Sequence, residues 1–277
     1  MTYKMLVCDI DGTLLNPQGK LSEGVKQAVR DAHDAGVVVT LATGRQLRGV
    51  MPLVEELGVN VPVVLANGTV VADPLGKKTL LHKPLPQETT HAVLDVIKKH
   101  GIWSSVWTHT FEGVDTYFDV DPGFDVAYLF IHKDTPHAVQ VEDLKTVTHV
   151  EPLKVLLLET PDKVLPIIRD LEALQAEHRF TLLATDHDFP GYILLEVYDE
   201  GSTKAVGIAQ LAADLGISPH EIVAVGDNLN DLEMIEFAGL GVAMGNAAMR
   251  VKELADWTTK SNGEDGVAYL IREKILV

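Results

Sequence analysis

Two acidic segments from opposite ends of the chain constrain its fold more than any other feature. Asp9-Ile10-Asp11-Gly12-Thr13 follows the apolar run Met5-Leu6-Val7-Cys8, which reads as a buried strand ending where Gly12 turns the chain. Far downstream, Glu221-Ile222-Val223-Ala224-Val225 runs into Gly226-Asp227-Asn228-Leu229-Asn230-Asp231. Ligands of an open parallel α/β sheet bind outside the carboxyl ends of its strands, and both segments deliver carboxylates there. Asp9, Asp11, Asp227 and Asp231 gathered in one place repel one another unless a divalent cation joins them. The chain therefore predicts a hard-metal site with oxygen ligands, most simply for Mg²⁺.

Around these segments, strands and helices alternate. Residues 1–83 read as a strand ending at Asp9, a helix capped by Ser22 and running to about His33, a strand from Val37 to Thr43, a helix from about Gln46 to Leu57 stopped by Gly58, and a strand from Val61 to Leu65. Val70-Val71 and Leu80-Leu81 flank Asp73-Pro74-Leu75-Gly76 as a small hairpin or flap. Such βαβαβ order predicts a parallel sheet with helices on both faces. After Pro84 and Pro86 the rhythm changes to a helix over 87–100, strands near 102–108 and 115–120, a helix near 122–130, a strand over 153–158, a helix over 161–177, and strands over 180–184 and 192–197. Alternation resumes after Gly201. Ser202 or Thr203 caps a helix with Ile208, Leu211, Ala212 and Leu215 on one face. A strand over 222–226, a helix over 231–238, a strand over 240–244 and a helix from about 266 follow. The predicted fold class is α/β, a doubly wound parallel sheet built from residues 1–83 and 199–277, with residues 84–198 inserted as an α+β domain.

Bulk properties narrow the function. The chain of 277 residues is long enough for a large core, with 46% hydrophobic and 23% charged residues. A net charge of −17 argues against a nucleic-acid-binding surface, which needs basic stripes. The same charge requires local Lys and Arg to reverse the field around any anionic substrate. Cys8 is the single cysteine; no internal disulfide is possible, and a reducing cytoplasm is the expected compartment. Its place in the first apolar strand makes it a small buried residue rather than a nucleophile. The N-terminus enters a strand at once without a signal-peptide pattern, and no apolar run is long enough to span a bilayer.

The order of these segments resembles the four motifs of the haloacid dehalogenase superfamily: DxDGT at Asp9–Thr13, a Thr before a turn at Thr43-Gly44-Arg45, a Lys at Lys204, and GDxxxD at Gly226–Asp231. Further stretches resemble its Cof-like sugar-phosphatase branch, namely Leu65-Ala66-Asn67-Gly68, Val242-Ala243-Met244-Gly245-Asn246-Ala247 and Asn262-Gly263-Glu264-Asp265-Gly266. The resemblance implies a Rossmann-like core with a mobile cap inserted over the site. It implies that Asp9 is a nucleophile forming an aspartyl-phosphate, and that Asp11 protonates the leaving alkoxide and later deprotonates water. Mg²⁺ is then held by Asp9, the Asp11 carbonyl and Asp227. Thr43 and nearby backbone N–H groups, with Gly12, Gly44, Lys204 and Asn230, bind the phosphoryl group.

The residues themselves add tests of these roles. A lysine in the first turn of a helix opposes the macrodipole at a cost of about 0.3–1 kcal/mol, a placement that makes sense for Lys204 if it faces Asp9 and a phosphoryl group. Asp231 either accepts hydrogen bonds from metal-bound water or orients Lys204. Asn230 either donates to the phosphoryl group or caps the helix after it. Asn67-Gly68 is either a turn or a substrate edge, and Arg45 either reaches the substrate or cap or is a solvated surface residue. Trp103, Ser105 and Trp107 share a strand face. They either stack on a sugar ring or pack the inserted sheet on its helices. The eleven histidines show no HExxH-type metal spacing.

The expected function is that of a Mg²⁺-dependent phosphatase for small phosphorylated metabolites, sugar phosphates foremost, with no nucleic-acid or membrane partner. A phosphomutase on the same core and a non-catalytic Mg²⁺- or metabolite-binding protein are the alternatives.

Overall fold

A computed structural model describes residues 3–121, 123, 136–186 and 190–277. The chain forms two compact units, Met1–His82 with Thr203–Val277, and Lys83–Ser202.

The first unit opens with β1 (Met5–Cys8), α1 (Glu23–Asp34), β2 (Val38–Leu41), α2 (Leu47–Leu57), β3 (Val63–Leu65), β4 (Val70–Asp73) and β5 (Lys78–His82). Ser22 caps α1 by accepting from the Val25 N–H at 3.0 Å, and Gly58 ends α2 in the left-handed conformation. One expectation fails here. β3 does not extend the parallel sheet; it pairs antiparallel with β4 in a three-stranded sheet β3-β4-β5. Its tie to β2 is the isolated parallel bridge Ala42↔Val64. β2 stops at Leu41, and Pro62, just ahead of β3, has no N–H to offer a ladder.

The second unit contains α3 (Gln87–Lys99), β6 (Ser105–Thr108), β7 (Thr116–Phe118), β8 (Ala138–Gln140), β9 (Pro152–Glu159), α4 (Pro161–Leu174), β10 (Phe180–Thr185) and β11 (Ile193–Asp199). Its sheet runs β10-β11-β9-β6-β7-β8, antiparallel except between β7 and β8. The helix expected near 122–130 lies outside the described residues apart from position 123. Pleating divides the sheet. Val106, Val155, Leu157, Leu195 and Val197 join residues of α3 and α4 in one core. Trp103, Trp107, Phe118, Leu156, Leu158 and Leu194 form another. The tryptophans are buried, and their indole N–H groups bond to the Leu158 carbonyl and Ser105 Oγ. They belong to the packing of this unit, away from the cluster that holds the helices rather than within it as expected.

The first unit resumes with α5 (Lys204–Leu215), β12 (Ile222–Gly226), α6 (Leu232–Phe237), β13 (Leu240–Ala243), α7 (Met249–Leu254), β14 (Trp257–Thr258) and α8 (Gly266–Leu270). Thr203, not Ser202, is the N-cap of α5. Ile208, Leu211 and Ala212 are buried as expected, but Leu215 at the last turn is 39% exposed because Gly216 ends the helix there. The strands form the parallel sheet β14-β13-β12-β1-β2, an α/β core with α1 against α8 and α5 against α6. No helix among the described residues is long and apolar enough to cross a membrane.

Candidate active site

Sheet register brings the two acidic segments together. β1 and β12 are parallel neighbours with Cys8 opposite Val225, and the Asp9 N–H continues the ladder to the Val225 carbonyl at 3.0 Å. Asp9 and Asp227 thus leave adjacent strand ends, and both are buried. The chain then bends through Asp11 (φ −78°, ψ 126°) and Gly12 (φ 75°, ψ −7°), the torsions of a type II turn, which needs φ > 0 at its third residue. Glycine serves a second purpose there, since a Cβ at position 12 would collide with the Asp227 carboxylate. Thr13 Oγ1 donates to Asp227 Oδ1 at 2.7 Å, tying the turn to the second strand.

Lys204 occupies the first position of α5 with its side chain fully buried. Its Nζ donates to Asp9 Oδ1 and to Asp231 Oδ1, both at 2.6 Å, which offsets its adverse position on the helix dipole. Asp231 uses its other oxygen to accept the backbone N–H groups of Asp227 (2.9 Å) and Asn228 (3.0 Å). Asp231 therefore orients Lys204 and closes the turn after β12. Burial pushes the Asp9 carboxyl well above the usual carboxylate range; Lys204 opposes this, while Asp231 and Asp227 add to it. Burial acts against the Lys204 ammonium, yet Asp231 and Asp9 together raise it above the ordinary lysine value.

Carboxylate oxygens of Asp9, Asp227 and Asp231 all lie within 4.8 Å of one another. The donor set is all-oxygen and carboxylate-rich, as a hard dication such as Mg²⁺ requires, and the cramped side of the cradle is kept open by glycine at position 12. These residues fit the cation. Asp11 is not part of this group. Its carboxylate, 51% exposed, receives Arg45 Nε at 2.7 Å and Nη2 at 2.5 Å. The expected gathering of four aspartates is thus a gathering of three, because a guanidinium anchored on the Gly49 carbonyl captures the fourth. Arg45 is consequently no solvated surface residue.

Thr43 lies just past β2, where its N–H reaches the Val64 carbonyl. Its Oγ1 accepts the Arg45 N–H at 3.1 Å, which leaves the hydroxyl proton to donate. Asn230 is not a helix cap. Asn228 caps the single 3-10 turn Leu229–Asp231, Asp231 stands at the N-cap of α6, and Asn230 Nδ2 instead donates to Asn67 Oδ1 at 3.0 Å. Sequence reasoning assigned no role to Asn246 and Asn262. Asn246 Nδ2 donates to the Gly12 carbonyl (2.8 Å), its Oδ1 accepts the Asn262 N–H (2.9 Å), and Asn262 Nδ2 donates to the Leu15 carbonyl (2.8 Å). These two asparagines brace the turn that follows Asp9. In the sequence both lie within stretches that resemble the sugar-phosphatase branch, and nothing local there gives either side chain a task. Cys8 is buried beside the site, and burial, with Asp9 adding, pushes its thiol far up, so it stays protonated and inert.

The family model for haloacid dehalogenase-like hydrolases matches residues 6–271. The chain belongs to that family. Among its relatives in Bacillus subtilis, the 5-amino-6-(5-phospho-D-ribitylamino)uracil phosphatase YwtE is 32% identical over 97% of this chain and 96% of its own. A second phosphatase of the same description, YcsE, is 31% identical over 99% of this chain and 96% of its own. A haloacid dehalogenase-like hydrolase from Bacteroides thetaiotaomicron superimposes with a TM-score of 0.83 at 27% identity, covering 98% of this chain and 99% of that one. The protein is a phosphatase of this hydrolase family.

Proposed function

We propose that the protein hydrolyses small phosphorylated metabolites, sugar phosphates first among them, with Mg²⁺ and through a phosphoryl group carried on Asp9. The observation that carries this reading is the buried Asp9–Lys204–Asp231 chain beside Asp227. Three acids crowd one cation there at the ends of adjacent strands. Relatives that act on a phosphorylated ribityl chain support a phosphorylated polyol or sugar as the substrate class.

Asp9, Asp227 and the Asp11 carbonyl would hold the Mg²⁺, with Asp231 behind them. The cation would neutralise charge on the phosphoryl oxygens. Lys204 and the Thr43 hydroxyl, with the backbone around Gly12 and Gly44 and the amide of Asn230, hold the remaining phosphoryl oxygens. An Asp9 carboxylate oxygen attacks phosphorus as the ester P–O bond breaks, and the leaving oxygen takes a proton from Asp11. Water then attacks phosphorus and gives a proton to Asp11, and the bond between Asp9 and phosphorus breaks to release inorganic phosphate. Asp11 acts only after its carboxyl has left Arg45. The Lys83–Ser202 unit is the cap that selects the substrate, and the enzyme works in the cytoplasm.

Phosphate release from a panel of sugar, nucleotide and cofactor phosphates, with Mg²⁺ and with chelator, tests the reading. Release is expected from sugar phosphates with Mg²⁺ alone, and none from Asp9→Asn. Parental turnover in Asp9→Asn would remove Asp9 as the nucleophile.

A further inference from the structure

The bend Ala66-Asn67-Gly68 is a strained and buried segment of the first unit. All three residues have positive φ, 46°, 50° and 90° in order, and all three are buried. Alanine gains nothing in the left-handed region, and a non-glycine residue held there costs of order 1–2 kcal/mol. The bend is held from several sides. Ala66 N–H donates to the Arg45 carbonyl (3.0 Å), Asn67 N–H to the Thr43 carbonyl (3.0 Å), and Thr69 Oγ1 to the Ala66 carbonyl (2.9 Å). Gly68 lies so close to the chain entering α5 that a Cβ there would collide with the Thr203 carbonyl.

This strain places one side chain between three site segments. The Asn67 amide sits over Gly44, where a Cβ would stand 3.3 Å from its Oδ1 and 3.4 Å from its Nδ2. Its Oδ1 accepts from Asn230 Nδ2, and its backbone hangs on Thr43. The Thr43-Gly44 turn and Asn230 come from different loops, and Lys204 follows directly on the segment that Gly68 touches.

We propose that Asn67 is a positioning residue of the phosphoryl pocket. The left-handed bend holds its amide so that Asn230 is fixed with its free donor turned to the phosphoryl oxygens, and so that the Thr43-Gly44 turn keeps its place. The proposal rests on the phosphatase reading for its ligand, a phosphoryl group, and deepens it. Without the Asn67 acceptor, Asn230 swings freely and the pocket loses affinity for phosphate, while the proton transfers at Asp11 proceed as before.

Asn67→Gly is the deciding variant, because glycine adopts φ near +50° without penalty and only the amide is lost. The readouts are thermal unfolding, KM and kcat, and the Kd of inorganic phosphate by calorimetry with Mg²⁺ present. The variant is expected to unfold no earlier than the parent, with KM and phosphate Kd both raised about tenfold, the loss of a hydrogen bond near a charged group, and kcat nearly unchanged. In an Asn230→Ala background, Asn67→Gly is expected to cost less than it does alone, only the part owed to the Thr43-Gly44 turn, because the part that acts through Asn230 is already gone. Parental KM and Kd in Asn67→Gly would overturn the proposal, and so would an equal further loss in the Asn230→Ala background. A parent that binds no phosphate would overturn it as well. A parent that hydrolyses nothing, but whose phosphate binding weakens in Asn67→Gly, would sink the phosphatase reading and leave this one standing.

Discussion

Among the described residues, each unit of the molecule buries one lysine against acid, and the two lysines differ in what surrounds them. Lys204 has two carboxylates on its ammonium, Asp9 and Asp231 at 2.6 Å each. Among the described residues Lys154, in the middle of β9, pairs with Glu196 Oε1 at 2.5 Å. Its other neighbours are Tyr198 Oη at 3.2 Å and the ring of Trp107, whose centroid lies 4.0 Å away. Burial works against both charges. Two acids outweigh it at Lys204, whose ammonium is held above its ordinary value. Glu196, with a phenol and an aromatic face beside it, does not at Lys154, which is lowered. The contrast gives an expectation to test: the lysine held by two acids belongs to the chemistry, and the one sealed by aromatic rings belongs to the packing.

The largest expected effect breaks the first of these clusters. Lys204→Met leaves Asp9 and Asp231 buried without their cation, at about 3–5 kcal/mol of stability. Turnover should fall by on the order of 10³, since a charge aimed at the developing phosphoryl charge is gone. Urea unfolding and phosphate release measure the two losses separately. Retained turnover in a folded Lys204→Met would mean that the pair of acids marks no catalytic centre.

The second cluster should respond differently to the same exchange. Lys154→Ala opens a cavity and strands Glu196, and about 3 kcal/mol of stability is expected to go. Lys154→Met fills the volume, and replacing a buried pair by apolar packing is often close to neutral; with Glu196→Leu added, stability should recover to within about 1 kcal/mol of the parent. kcat should stay near parental in both. A thousandfold loss of kcat in Lys154→Met, at unchanged fold, would erase the distinction between the two lysines.

How legible these features were follows from the range of the interactions. Asp9, Asp227 and Lys204 could be read because each sits at a local landmark, a strand end or a first helical turn, and a charge there needs a reason. The turn at Gly12 was legible for the same cause. The Arg45–Asp11 pair was not, since nothing in Asp9-Ile10-Asp11 says which carboxylate turns towards a residue 34 positions away. Asn67-Gly68 reads as either a turn or a substrate edge; the role proposed for Asn67 depends on Ala66 also adopting a left-handed conformation, which no alanine advertises. β3 was read as a strand of the main sheet because apolar periodicity reports burial and not the neighbour. Lys154 and Glu196 each interrupt the apolar middle of a strand, Pro152–Glu159 and Ile193–Asp199. That pattern marks them as unusual without naming each other as partner.

The smallest expected effect is the sharpest test of the contrast, because the two lysines pull stability in opposite directions at alkaline pH. The folded-state value of Lys154 is lowered, chiefly by burial. Between that value and the ordinary lysine range the unfolded chain therefore binds more protons than the folded one, and stability rises with pH through this window. Above the ordinary range the rise ends. Lys204 is raised, so its contribution is complete below the ordinary lysine value and is lost only as pH climbs through the higher folded one. Subtracting the unfolding free energy of Lys154→Met from that of the parent at each pH cancels Lys204 and every other group that the exchange leaves alone. The difference should climb with pH, at no more than about 1.4 kcal/mol per pH unit. A flat difference would mean that Glu196, Tyr198 and Trp107 compensate burial fully. A falling one would place Lys154 with Lys204 as a cation stabilised by its surroundings, and the acids around them would no longer explain why the two behave differently.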